Sequence, residues 1–115
     1  MNSNLIDLTL KRDVNSLYAD LAKETGAIVR TPSISPAELV REGQKRFQEI
    51  SRKIRGLICS ESLLGLLNNE SNEKDLAIVL IDAINSNVNG IDFPVVTVAC
   101  LIAKVGINRF CQSDE

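Results

Sequence analysis

Two apolar runs toward the C-terminal end most constrain what this 115-residue chain can become. Leu76-Ala77-Ile78-Val79-Leu80-Ile81 forms the first, and Phe93-Pro94-Val95-Val96-Thr97-Val98-Ala99-Cys100-Leu101-Ile102-Ala103 the second. The Asn-rich link Asn85-Ser86-Asn87-Val88-Asn89-Gly90 joins them. Neither run alternates as a half-buried strand does, and each is apolar nearly all round, the pattern of a helix placed centrally. Together they predict an antiparallel helical hairpin that must be covered by the rest of the chain or by a partner. The longer run falls short of the roughly 20 apolar residues a spanning helix needs, and Lys104 closes it. No membrane association is expected.

The cover has to come from upstream. Leu10, Val14, Leu17 and Leu21 recur at spacings of four, three and four, which predicts an amphipathic helix over residues 5–24 with Gly26 as its stop. Residues 26–34 read as a connection. Ser35-Pro36-Ala37-Glu38 then supplies a cap, a proline suited to the first helical position and the Glu of a capping box. The helix it opens, over 36–58, carries Val40, Gly43, Phe47, Ile50, Ile54 and Leu57 on one face. Gly43 is either its weak point or the place where another helix comes close. A short helix over 61–67, capped by Ser60, a polar break at 68–73, and the hairpin helices over 73–85 and 93–109 complete the reading. The expectation is an all-α, single-domain bundle of about five helices.

Composition removes several functions. A hydrophobic content of 44% fits a folded domain. The net charge of −2 is spread unevenly: residues 36–59 hold six bases and three acids, and residues 60–115 three bases and eight acids. Histidine is absent, which removes the commonest general base, metal ligand and pH switch. Cys59, Cys100 and Cys111 form no CxxC pair. If one helix carries Cys100 and Cys111, roughly 16 Å of rise separates them, too far for a disulfide. Three scattered thiols fit a reducing cytosol. No basic region followed by a long apolar core opens the chain, so a cytoplasmic location is expected.

The chemical constellations are weak. Asn85, Asn87, Asn89 and Gly90 match the first positions of a calcium loop, but Val96 stands where a bidentate Glu is required. Asp82 interrupts an apolar run, yet Asp75 and Asp82 share one stripe and Thr97 and Lys104 share another. Folded as a hairpin, Asp75 faces Lys104 and Asp82 faces Thr97, a structural polar edge. Arg41, Lys45, Arg52 and Arg55 line one stripe of the 36–58 helix and could lie along phosphates. Glu42 and Glu49, placed to pair with Arg46 and Lys53, offset much of that charge. Only four aromatics are available to stack bases.

Cys59, near a helix junction, is the best-placed nucleophile, but no histidine can serve it. No phosphate loop, nucleophile elbow or metal-ligand spacing is present. We therefore expect no enzyme, cofactor or metal. The function expected is a protein-interaction, adaptor or regulatory module that binds another protein or itself through an apolar helical surface. A nucleic-acid-associated protein using Arg41, Lys45, Arg52 and Arg55 is the alternative.

Overall fold

The computed structural model describes residues 3–25, 35–67 and 72–112. Among these residues run seven helices and no strand: α1 (Ser3–Leu10), α2 (Val14–Glu24), α3 (Pro36–Ile58), α4 (Glu61–Leu67), α5 (Glu73–Asn87), α6 (Val95–Val105) and α7 (Ile107–Gln112). The all-α expectation holds; five helices become seven. The expected stop at Gly26, the connection over 26–34 and most of the break over 68–73 lie outside the described residues.

The helix expected over 5–24 is broken at residues 11–13. Asp13 turns extended and its carboxylate accepts the Ser16 N–H at 2.7 Å, capping α2. Arg12 then donates two hydrogen bonds to Asp20, at 2.6 and 3.0 Å, across the break. An aspartate that satisfies an orphan N–H competes with helix continuation, which explains the interruption. That N–H bond also lowers the Asp13 pKa. The apolar spacing persists through it, since Leu10 and Val14 both pack against the core.

α3 starts as its motif requires. Ser35 Oγ accepts the Glu38 N–H at 3.2 Å, and Glu38 Oε1 accepts the Ser35 N–H at 3.1 Å. The backbone donor holds the Glu38 carboxyl below its ordinary pKa. This contribution is present at neutral pH and fades as pH falls through the lowered value. Gly43 faces α2 so closely that a Cβ there would lie 1.8 Å from the Tyr18 carbonyl oxygen. The glycine is therefore the contact point of α2 on α3. The hydroxyl of Ser60, the expected cap of α4, turns back and donates to the Leu57 carbonyl at 2.9 Å. At α5 the cap is Asn72, whose side chain accepts the Asp75 N–H at 2.8 Å.

α6 occupies the centre. All seven residues from Thr97 to Ala103 are buried, and the helix packs against α1, α2, α5 and α7. The second apolar run thus becomes core, as a helix apolar all round must. Pro94 precedes it rather than lying inside it, and α5 runs on to Asn87, beyond the expected end at residue 85. The helix expected over 93–109 breaks at Gly106, where φ is +102°, a backbone geometry that favours glycine. The chain turns there, and α7 carries Phe110 and Cys111 to the far end of α3.

Candidate functional site

α7 closes against α3 through a disulfide between Cys59 and Cys111, with a Cα–Cα distance of 5.7 Å. This corrects the expectation of three free thiols. Sequence geometry excluded the Cys100–Cys111 pair, whereas the pairing partner lies 52 residues away and is reached only because Gly106 redirects the chain. Cys59 is accordingly no nucleophile in this state. Cys100 alone is free, and burial pushes its thiol up to about 11. At neutral pH almost none of it is thiolate, so alkylating reagents should leave the native protein untouched. Unfolding without reductant should expose one reactive thiol, and unfolding with reductant three. Two or more thiols without reductant would contradict the disulfide.

The four stripe cations do not end up alike. Arg41, Lys45 and Arg52 are exposed and join no ion pair among the described residues. Arg55 turns inward, its guanidinium carbon 5.3 Å from the centre of the Phe110 ring. Of the expected neutralising pairs, Glu42 lies 3.2 Å from Arg46 in a charge pair without hydrogen-bond geometry. Lys53 approaches Asp92 of the α5–α6 link at 3.6 Å instead of Glu49. Glu38 and Glu42 flank Arg41 and Lys45 around a shallow hollow, so the stripe is interleaved with acid.

The polar edge is rearranged. Lys104 approaches Glu73 at 4.0 Å, not Asp75, which is engaged with its own cap residue Asn72. Glu73 opens α5 and Lys104 nearly ends α6, so these two helix ends lie side by side. Thr97 is buried and donates to Glu24 of α2 at 2.8 Å, not to Asp82. Asp82 is exposed and joins no hydrogen bond or ion pair among the described residues. The expected facings fail because α6 presents Thr97 to α2 rather than to α5.

Two hollows matter for chemistry. The larger, about 550 Å³ between α2 and the start of α3, is lined by Arg12, Asp13, Asp20 and Lys23 among others. Its charges are largely spent, since Arg12 is bound to Asp20 and Asp13 caps α2. The second, about 400 Å³, lies among α2, α3, the end of α6 and α7. Arg55 and Arg109 line it with Tyr18, Phe47 and Phe110, and no carboxylate does among the described residues. The three rings form a continuous wall: Tyr18 meets Phe47 edge-on at 5.8 Å, and Phe47 meets Phe110 at 6.2 Å. Sequence reasoning missed this cleft, because the one stripe residue in it reads as a surface cation until α7 folds back.

Among the described residues the outer surface carries three large apolar side chains: Leu5 and Leu8 of α1, 48% and 61% exposed, and Leu66 of α4, 57% exposed. Leu5 and Leu8 are three residues apart and share one side of α1, while Ile6 on another side is buried. No group of metal-ligating side chains occurs among the described residues. No helix among them is long and apolar enough to cross a membrane. Comparison of the chain with protein-family models, curated proteins and solved structures finds no match.

Proposed function

We propose that this chain is a non-enzymatic helical interaction module that pairs with a second copy of itself through the outward face of α1. The observation that carries this reading is the exposure of Leu8, beside Leu5, on a helix whose opposite side is already committed to the core. Asp7, next in sequence to Leu8, lies 3.2 Å from Lys74 of α5, which puts an acid and a base at this end of the molecule. A patch holding both signs is self-complementary, since a two-fold copy can exchange the pair across the seam. Burying a leucine fully is worth about 1.5–3 kcal/mol. Four half-exposed leucines in a two-fold seam therefore contribute about 4 kcal/mol, and association costs must be met from that. The dimer is thus weak, with a dissociation constant on the order of 1 mM at its tightest.

Sedimentation equilibrium up to about 1 mM protein tests this against the affinity scale just given. The wild-type chain should show concentration-dependent mass, and Leu8→Glu should stay monomeric with unchanged helical circular dichroism. A wild-type monomer throughout, or a Leu8→Glu dimer, would refute the α1 seam. No catalytic step and no cofactor form part of this reading.

One observation favours the nucleic-acid alternative: Arg41, Lys45 and Arg52 are exposed and form no ion pair among the described residues. Three phosphate contacts would give a salt slope of about −2.7 in log affinity against log salt. An oligonucleotide anisotropy titration at low salt should show no binding; binding with that slope, lost on replacing Arg41, Lys45, Arg52 and Arg55 by Glu, would establish the alternative. The cytoplasmic placement is weakened by the Cys59–Cys111 bond, because disulfides persist in oxidising compartments and are rare in the cytosol.

A further inference from the structure

We propose that the cleft between α3 and α7 binds a small aromatic carboxylate, with its anionic end held by Arg55 and Arg109 and its ring against Phe47 and Phe110. Both arginines line the cavity, and neither is ion-paired among the described residues. No acidic side chain among the described residues lines it either, so neither positive charge meets an opposite one among them at this apolar wall. Arg55 stacks on Phe110 and pairs with no carboxylate among the described residues, and its buried Nε–H meets no acceptor among them. A guanidinium of this kind lacks the planar, two-oxygen acceptor that it matches best.

The remaining lining fits the same ligand. Three of the chain's four aromatic side chains gather here, which supplies an apolar surface for a flat ring. Gln44 and Gln48 add neutral hydrogen-bonding groups at the rim. Burial raises the Tyr18 pKa, so its hydroxyl stays neutral and adds no opposing charge. The Ser51 hydroxyl is already engaged, donating to the Phe47 carbonyl at 2.7 Å. A cavity of about 400 Å³ is at the small end of the range that holds compact ligands.

The site is conditional on the disulfide. Arg109 and Phe110 belong to a six-residue helix, and Cys111, next in sequence, is bonded to Cys59 at the end of α3. That bond is what keeps the α7 wall opposite the α3 wall. The disulfide-bonded protein should therefore bind, and the reduced protein should bind far less.

Calorimetric titration of the oxidised full chain with naphthoate, its neutral analogue naphthamide and inorganic phosphate tests the proposal. Naphthoate should bind saturably at one site per chain. Naphthamide and phosphate should each be at least about tenfold weaker, the scale of one lost charge-assisted bond or of the ring contact. Arg109→Gln should weaken naphthoate by roughly tenfold to a hundredfold. Arg52→Gln, the same change outside the cleft, should leave it unaltered, as should Leu8→Glu. Absence of saturable binding, equal affinity for acid and amide, phosphate binding as well as naphthoate, or equal losses in Arg109→Gln and Arg52→Gln would each overturn the assignment. Full affinity after reduction would overturn its dependence on the disulfide. Since Leu8→Glu separates the two surfaces, this result and that of the α1 seam can fail independently.

Discussion

Gly43→Ala should destabilise the protein by about 3 kcal/mol or more, even though alanine is the better helix former by about 1 kcal/mol. The added Cβ would lie 1.8 Å from the Tyr18 carbonyl oxygen and 2.4 Å from its carbon. Both are backbone atoms, so no rotamer change relieves the overlap, and α2 must move off α3. Gly56 of the same helix is exposed and has nothing within 4 Å of its own hypothetical Cβ. Gly56→Ala should therefore stabilise, by roughly 0.5–1 kcal/mol. Urea denaturation of the two variants checks the pair. The opposite signs isolate packing from propensity; two gains of equal size would show that α2 does not approach α3 at Gly43.

Removing the disulfide should have a comparable cost. Constraining a loop of 52 residues removes unfolded-state entropy worth about 4 kcal/mol on the loop-closure model. The Cys59→Ala/Cys111→Ala chain should melt roughly 10–20 °C lower, given how far each kcal/mol shifts the midpoint in domains near this size. The loss should appear without reductant in the variant and with reductant in the wild type. A wild-type melting curve insensitive to reductant would contradict the bond. Because α7 carries two residues of the aromatic–arginine cleft, the same substitution links stability to that site.

The two effects also mark where the sequence is and is not legible. Local signals read directly: the Ser35–Glu38 box opens α3 as its spacing requires, and the all-apolar run over Thr97–Ala103 is buried. Gly43 announced itself as a gap in an otherwise regular apolar face. Interruptions that preserve periodicity did not read. Asp13 ends one helix and caps the next, yet Leu10, Val14 and Leu17 keep their spacing across it because the break is only three residues long.

Long-range geometry was less legible still. The turn at Gly106 is a matter of one residue's φ, and it decides whether Cys111 lies far from every thiol or against Cys59. It also turns Arg55 from a member of a surface stripe into a wall of the cleft, since Phe110 arrives above it. The register of α6 decided the polar residues: Thr97 meets Glu24 of α2, and Lys104 meets Glu73 at the start of α5. A hairpin drawn from the sequence places each of these against the wrong partner because it treats α5 as the only neighbour of α6.

The functional reading rests on one surface, and a dilution series of isotope-labelled protein tests that surface residue by residue. Amide spectra recorded from about 1 mM down to about 10 μM run from the affinity expected of this seam to dilutions where the monomer dominates. Shifts that grow with concentration should cluster on α1, around Leu8, and at Lys74, leaving Arg41, Lys45 and Arg52 unmoved. Spectra that do not change with concentration, or changes confined to α3, would contradict pairing through α1.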